Sequence, residues 1–303
     1  MIAISTMWNA HKQSDGAAII DAFTALGFDA IELSRHLTSE QIKQMKPHLS
    51  QTHICSIHNF CPILPGIRQS QAENDPVLLS SLDVEERQEA VKRTIRTMEY
   101  AVDLEVPIVV LHLGKVDTRD YSYLMYDLYE YGEREFEAFG KKVLEATDWR
   151  ERKQAKYQDA VLFSLDTLNE QALRMNLYLA IENRSRYYHI PNFDEVGMFL
   201  ERFEGSNMRY WHDIGHAVLQ ERVGLCWSDQ WLEAYKDNLI GVNLHDLKGL
   251  EAYHPPGFGD VDFKEIVAQI PPDVPKVLEV QHGRAEELEE AREYCQSLVQ
   301  HDG

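Results

Sequence analysis

The stretch that decides the fold reads Leu177-Tyr178-Leu179-Ala180-Ile181-Glu182. Its five consecutive hydrophobic residues are too few for a typical helix and fit a strand that is covered on both faces. An ionisable residue, Glu182, closes the run. The stretch therefore predicts a buried strand of a parallel sheet that presents a carboxylate at its carboxyl end.

Seven other short hydrophobic runs have the same form, and helical patterns follow most of them. The eight predicted strands cover residues 2–5, 28–33, 54–57, 108–111, 177–181, 208–211, 240–244 and 277–278. Helices are predicted over 16–26, 39–45 and 83–104, the last with Asp83 as its N-cap. Parallel strands need connections of a dozen or more residues, and most of the intervening segments are long enough.

Eight β-then-α units in 303 residues predict a (β/α)8 TIM barrel, folded as a single domain over 1–303. A doubly wound open sheet is the alternative, but its Gly-x-Gly-x-x-Gly phosphate turn does not follow an early strand here. Strand ends recur every 31 to 34 residues after Glu182, whereas His112 and Glu182 are 70 positions apart. The excess predicts a helical insertion at about 117–158, after strand four. It is either a lid or dimerisation element, or a solvated helical excursion.

Composition narrows the class of protein. Fifty acidic residues against 30 Lys and Arg give a formal net charge of −20, so we expect neither a nucleic-acid nor a membrane partner. No apolar run reaches the roughly 18–20 residues of a membrane span, and the first residues do not resemble a secretory signal. The four cysteines lack Cys-x-x-Cys spacing, which favours reduced thiols in a cytoplasmic protein.

Four ionisable residues close strands five to eight, namely Glu182, Asp213, His245 and Glu279. In a TIM barrel these strand ends meet on one face, where the active sites of the fold lie. Three carboxylates and one imidazole suit one divalent cation such as Mn²⁺, Mg²⁺, Co²⁺ or Zn²⁺. Without a cation the three carboxylates would repel one another, so the set predicts a metal site.

Five segments in register resemble the xylose-isomerase-like TIM barrel superfamily. They are Ala180-Ile181-Glu182-Asn183, His212-Asp213-Ile214-Gly215-His216-Ala217, Asn243-Leu244-His245-Asp246, 256–263 (PGFGDVDF) and Val277-Leu278-Glu279-Val280. The superfamily includes sugar-phosphate isomerases and epimerases, ketose 3-epimerases, hydroxypyruvate isomerase, inosose dehydratase and endonuclease IV. The resemblance covers essentially the whole chain, and it is specific for the superfamily rather than for a substrate.

The resemblance implies a divalent-metal-dependent sugar or sugar-phosphate isomerase or epimerase. Residues like Glu182, Asp213, His245 and Glu279 hold one metal in that branch, and the two glutamates exchange a proton with the carbon beside the carbonyl. A metal on the carbonyl oxygen stabilises the enediolate, while one carboxylate acts as base and another as acid. An inosose-type dehydratase would use the same chemistry. The expected partner is a small sugar or polyol, and a homodimer is a further expectation from the superfamily.

Six other residues are candidates for substrate binding. His216 resembles a family histidine that contacts a substrate oxygen, and Arg184 and Lys248 could each receive a carboxylate or a phosphate. His58, His112 and His254 resemble ligands of the three-zinc site of endonuclease IV, although the loop around His254 lacks the Asp-Arg-His sequence of that site.

Two questions stay open at this point. We favour hydrogen bonds from His58 and His112 to substrate hydroxyls, but these residues with Glu182 could also hold a second metal. An endonuclease IV-like abasic-site endonuclease with a multi-zinc site is the alternative function. The net charge of −20 argues against it, because a nuclease must neutralise many phosphates.

Overall fold

Eight parallel strands close into one barrel, in the order in which they occur along the chain. The computed structural model describes residues 1–71, 75–132 and 137–300. The strands are β1 (Ile2–Ser5), β2 (Ala30–Leu33), β3 (His53–His58), β4 (Ile108–Leu111), β5 (Tyr178–Glu182), β6 (Met208–Asp213), β7 (Leu239–Leu244) and β8 (Lys276–Leu278). β1 pairs with both β2 and β8, which closes the barrel. The prediction of a (β/α)8 barrel is confirmed.

Ten α-helices accompany the strands in the described part of the chain. They are α1 (Gly16–Ala25), α2 (Ser39–Met45), α3 (Val84–Asp103), α4 (Ser122–Glu130), α5 (Glu137–Met175), α6 (Phe193–Arg202), α7 (Ile214–Arg222), α8 (Ser228–Tyr235), α9 (Phe263–Val267) and α10 (Ala285–Gln300). The predicted cap of α3 is confirmed, because the Asp83 carboxylate accepts hydrogen bonds from the backbone N–H groups of Glu85 and Glu86. Among the described helices, none has the length and apolar character that crossing a bilayer requires.

One tryptophan fills much of the barrel interior. Trp211 on β6 is fully buried, and small side chains such as Ala3 and Ala180 surround it. A Cβ atom at position 241 would lie 1.9 Å from the Trp211 ring, so glycine is needed on the neighbouring strand β7. The interior of the barrel below its mouth is therefore a packed core.

The long connection after β4 contains α4 and the 39-residue helix α5, which is about 58 Å long at 1.5 Å per residue. Val161, Leu165 and Leu168 in its second half pack into the main core. Its first half joins α4 and α7 in a separate apolar cluster that includes Phe139 and Val143. The predicted insertion at 117–158 is thus largely helical where it is described, although residues 133–136 lie outside the described part.

Two short antiparallel strand pairs lie at the mouth of the barrel. The first joins Gly114–Lys115 to His189–Ile190 from a distant part of the chain, and the second is a hairpin formed by Asp246–Lys248 and Glu251–His254. The buried Asp246 carboxylate accepts hydrogen bonds from the backbone N–H groups of Gly257, Gly259 and Val261, at 2.9 to 3.0 Å. This single side chain therefore holds the loop over 255–261 against the hairpin.

Candidate metal and substrate site

Three predicted carboxylates meet at the carboxyl end of the barrel. Glu182 ends β5, Asp213 ends β6 and Glu279 follows β8, and all three are buried. One oxygen of each lies within 4.8 Å of an oxygen of the other two. A fourth buried carboxylate, Glu32 of β2, lies equally close to His58 and Glu279. Glu32 was not predicted, although a charged residue within an otherwise hydrophobic strand was a usable signal.

An asparagine bridges the three carboxylates. The amide nitrogen of Asn243 on β7 lies 3.1 Å from Glu182 Oε1, 2.9 Å from Glu279 Oε2 and 3.5 Å from Asp213 Oδ2. Its Oδ1 accepts a hydrogen bond of 2.9 Å from Trp211 Nε1, which can only donate, so the orientation of the amide is fixed. Asn243 was not among the predicted site residues. It stands two positions before His245, on the same face of the strand, and that spacing could have indicated it.

His245 lies beside the carboxylates but already has partners on both ring nitrogens. Nε2 is 2.9 Å from Asp213 Oδ1, and Nδ1 accepts a hydrogen bond of 3.2 Å from the backbone N–H of Tyr253. The ring proton therefore lies on Nε2. Coordination through Nε2 requires this proton to move to Nδ1, where the Tyr253 N–H points. The role of His245 as a fourth ligand stays a prediction.

His216 lines the same cleft, at the start of α7. Its backbone N–H donates to Asp213 Oδ1, and its Nδ1 donates to the carbonyl oxygen of Asn183 at 3.1 Å. Nε2, which is then unprotonated in the neutral ring, is 3.1 Å from the hydroxyl of Tyr253. Burial lowers the pKa of His216, despite the opposing effect of the Asp213 charge. The substrate contact of this neutral imidazole stays a prediction.

The two predicted histidines of β3 and β4 lie beside Glu182. His58 Nε2 and His112 Nε2 are 3.1 Å apart, and His112 Nε2 is 2.9 Å from Glu182 Oε2. Two guanidinium groups, those of Arg35 and Arg184, also contact the His112 ring. Ligand atoms of His58, His112 and Glu182 lie within 4.8 Å of one another, but a second cation there would be repelled by these two positive charges, so the second metal stays a prediction.

Arg184 and Arg35 bring positive charge to the acidic mouth. Arg184 Nη1 is 2.6 Å from Glu182 Oε2, and Arg35 Nη2 is 2.9 Å from Asp75 Oδ1. Arg184 was predicted, but Arg35 was not. Arg35 follows β2 by two residues, so a search for ionisable residues at the end of the second strand would have found it. Both side chains are largely buried, so their charges are weakly screened by solvent.

The ionisable groups of the mouth have opposite environments. Burial lowers the pKa of His112 to about 4, with Arg184 and Arg35 acting in the same direction. Burial also opposes the charge on His58, but Glu182 and Glu32 outweigh it and raise the pKa of His58 to about 10. Burial alone would raise the pKa of Glu182, but His112, His58 and Arg184 hold it well below its usual range.

Glu279 behaves differently from Glu182. Burial raises the pKa of Glu279 well above its usual range, and the charges of Glu182, Asp213 and Glu32 add to this effect. Its Oε1 lies 3.9 Å from His58 Nδ1, and its Oε2 accepts a hydrogen bond from the neutral amide of Asn243. The negative charge of Glu279 is therefore the least compensated in the mouth.

Two predicted substrate residues lie away from the carboxylates. His254 Nε2 is 2.7 Å from Glu251 Oε2, and its ring stacks on that of His282. Lys248 is exposed on the hairpin over 246–254, opposite Glu251. Neither residue lines the mouth cleft, whose walls include Arg35, His58, His112, Glu182, Arg184, His216, Tyr253 and Glu279.

The mouth cleft is not the largest concavity of the molecule. A groove of about 650 Å³ lies between α3 and α5 on the outer surface, and a cavity of about 450 Å³ lies beside the loop that contains Trp227. We place the candidate site in the smaller cleft because buried carboxylates, imidazoles and guanidinium groups converge there, as in sites with perturbed ionisation. The larger concavities have no comparable buried carboxylate cluster among the described residues.

The donor set of the mouth fits a divalent cation. Glu182, Asp213 and Glu279 offer three oxygens within 4.8 Å of one another. Oxygen donors of this kind suit Mg²⁺ and Mn²⁺, and an added imidazole also suits Co²⁺ or Zn²⁺. Burial and the neighbouring carboxylates disfavour the charged form of Glu279, and a cation held among the three carboxylates would stabilise that form.

Solved structures with a fold similar to this barrel include two sugar epimerases. The 3-keto-D-glucoside 4-epimerase YcjR from E. coli is 13% identical, with a TM-score of 0.69 and 98% of each chain covered. D-psicose 3-epimerase from Clostridium cellulolyticum H10, solved with D-tagatose, is 14% identical, with a TM-score of 0.65 and coverage of 98% of this chain and 99% of that one.

The IolI protein, solved with a bound zinc atom, is 12% identical, with a TM-score of 0.66 and coverage of 100% of this chain and 99% of that one. At these identities the likeness shows the fold alone. No curated protein matches the sequence. The family described as "xylose isomerase-like TIM barrel" matches residues 20–298, and the chain therefore belongs to that family.

Proposed function

We propose that the protein is a divalent-metal-dependent isomerase or epimerase that acts on a small sugar or sugar phosphate through an enediolate. The observation that carries this proposal is the convergence of Glu182, Asp213 and Glu279, buried and bridged by Asn243, at the mouth of the barrel. Membership of the xylose isomerase-like family supports it. The sugar epimerases of similar structure agree with it.

The proposed metal ligands are Glu182, Asp213 and Glu279, with His245 as the fourth. When bound, the cation supplies Lewis-acid polarisation of the substrate carbonyl. Proton transfer at the neighbouring carbon is the task of Glu182 and Glu279. Contacts with Arg184 and His112 keep Glu182 ionised and able to accept a proton. Burial and the neighbouring carboxylates raise the pKa of Glu279, which therefore holds a proton more readily.

The other residues of the cleft would hold the substrate. His58 and His112 are placed to hydrogen-bond hydroxyl groups, and His216 lies across the cleft on α7. Arg184, together with Arg35, offers guanidinium groups to a carbonyl, hydroxyl or phosphate oxygen. Lys248 and His254 lie outside this cleft, so we assign them no part in binding the reacting end of the substrate.

The first prediction concerns proton exchange at the substrate carbon. Incubated in D₂O with Mn²⁺, Co²⁺, Mg²⁺ or Zn²⁺, the protein should introduce deuterium into at least one member of a panel of ketoses, ketose phosphates and inososes. Glu182→Gln and Glu279→Gln should each abolish the exchange, because an amide cannot take up or release the proton. Mass spectrometry or proton NMR of the recovered sugar measures the result.

The matched control for this test is Glu286→Gln, on the exposed first turn of α10, which should exchange at the wild-type rate. In the metal-free protein, Glu279→Gln should not lower Tm, because the raised pKa of Glu279 already favours a neutral carboxyl, which glutamine matches in charge and size. Loss of water from an inosose would favour the dehydratase alternative. A protein that binds no divalent metal and gives no exchange with any of the four ions would overturn the proposal.

A further inference from the structure

We propose that Glu251, His254 and His282 form a second metal site, which lies on the rim of the barrel and is suited to Zn²⁺. We call these three residues the rim cluster. One ligand atom of each lies within 4.8 Å of the corresponding atoms of the other two. The cluster shares no residue with the carboxylate group of the mouth, so it is a separate site.

The geometry of the rim cluster fits one ion. His254 Nε2 lies 2.7 Å from Glu251 Oε2, and the centroids of the His254 and His282 rings are 4.6 Å apart. Histidine nitrogens bind Zn²⁺ at about 2.0–2.1 Å, so the ion would replace the hydrogen bond between His254 Nε2 and Glu251 and draw a nitrogen of His282 towards the same point. Two histidines and one glutamate are a known ligand set for Zn²⁺, and water can complete the tetrahedron at an open position.

The backbone holds the three ligands together before any ion binds. Glu251 and His254 are the two ends of one strand of the hairpin over 246–254, and Asp246 pairs with His254 across it. The backbone N–H of His282 donates to the carbonyl oxygen of Tyr253 at 3.2 Å. A site whose ligands are already close loses little conformational entropy when it binds an ion.

The charges around the rim cluster also bear on ion binding. His254 is largely buried, and Glu251 supplies a carboxylate beside it. Lys248 is the cation that opposes an ion here, but it is exposed on the adjacent strand and therefore screened by solvent.

An ion in the rim cluster would act on the mouth through Tyr253. Tyr253 precedes His254, its backbone N–H donates to His245 Nδ1, and its hydroxyl contacts His216. The ion would tie the hairpin to the segment that follows β8 and so fix Tyr253. The rim cluster is therefore a positioning element for His245 and His216 rather than part of the catalytic machinery.

The test is a Zn²⁺ titration by equilibrium dialysis followed by metal analysis. Wild-type protein should bind about one equivalent more than His254→Ala or His282→Ala, and added Zn²⁺ should raise the Tm of wild type more than that of either variant. His282 is partly exposed, so its variant should have the wild-type Tm without metal. The control His48→Ala, an exposed histidine after α2, should bind as much Zn²⁺ as wild type.

The outcome separates the rim cluster from the mouth. Glu182→Gln should weaken only the mouth equivalent and leave the equivalent that His282→Ala removes. If the mouth binds no metal, wild type should still bind one equivalent that His282→Ala loses. Equal stoichiometry and affinity in wild type, His254→Ala and His282→Ala would overturn the rim site.

Discussion

Asn243 connects the packed interior of the barrel with the charges at its mouth. Trp211 donates to its oxygen, so its amide nitrogen must face Glu182 and Glu279. A neutral donor in this position moderates the repulsion among the three carboxylates. Each carboxylate has several acceptor sites, so its oxygens can still bind a metal. Asn243 is therefore a positioning residue for the proposed ligands.

Asn243→Ala should weaken divalent-metal binding by about 10–100-fold, the usual effect of removing a group that orients metal ligands. Titration with Mn²⁺ or Zn²⁺ measures the loss, and the variant Asn243→Gln should restore less than full affinity because its longer side chain cannot keep the bond to Trp211. Asn207→Ala is the matched control, since its amide donates to the Leu177 carbonyl just before β5, at the opposite end of the barrel. Unchanged affinity in Asn243→Ala would contradict the assignment.

At the level of single residues, the ionisable residues that close strands could be predicted, whereas the polar residues within strands were missed. Glu182, Asp213 and Glu279 could be found because ionisable residues at consecutive strand ends share one face of a barrel. Asn243 and Glu32 lie within strands. Their residue type and spacing were usable signals, but the contacts of Asn243 with Trp211 and of Glu32 with His58 emerge only in the packed barrel. His254 has the right residue type, but the hairpin turns it towards Glu251 and His282.

Helix α5 is the element that the sequence placed least well. An insertion was predicted to end near residue 158, but the helix continues without a break to Met175. No Gly or Pro occurs between residues 141 and 175, so nothing in the sequence ends the helix at the predicted boundary. Strand boundaries were predicted more closely, because each short hydrophobic run coincides with a buried barrel strand.

A buried ion pair joins α5 to α6. Arg150 Nη2 lies 2.6 Å from Glu195 Oε2, and both side chains are almost fully buried. Glu195→Gln should lower the free energy of unfolding by about 3–5 kcal/mol, because it leaves the Arg150 charge buried without a counter-charge. Glutamine has one carbonyl oxygen that can keep the capping box with Asn192, so the helix cap is retained while the charge is removed.

Urea denaturation followed by circular dichroism measures this loss. The control is Asp166→Asn, which breaks the exposed pair between Arg202 and Asp166 and should change the free energy by less than about 1 kcal/mol. Equal effects of the two variants would show that burial of the α5–α6 pair does not matter.

At the scale of the whole molecule, the charge of −20 and the arrangement of the mouth point in the same direction. Duplex DNA binding requires many cationic contacts to phosphates, and affinity falls steeply with salt even for proteins that make them. Here the excess charge is negative. Arg35 and Arg184 of the mouth are each paired with a carboxylate, and two such groups could meet one small oxyanion but not the many phosphates of a duplex.

We therefore expect no cleavage of an abasic-site duplex, even with Zn²⁺ at about 50 mM salt, where phosphate contacts are strong. Gel analysis of a labelled duplex measures nicking, and endonuclease IV is the positive control. The same preparation must exchange deuterium into a sugar, which excludes an inactive sample.

The two guanidinium groups at His112 give a sharper form of the prediction. Arg35→Gln with Arg184→Gln removes the repulsion against a second cation, and this double variant should bind an additional Zn²⁺ at His58 and His112 yet still leave the duplex intact. Nicking by the wild-type protein would show that neither its net charge nor these guanidinium groups exclude the nuclease reaction.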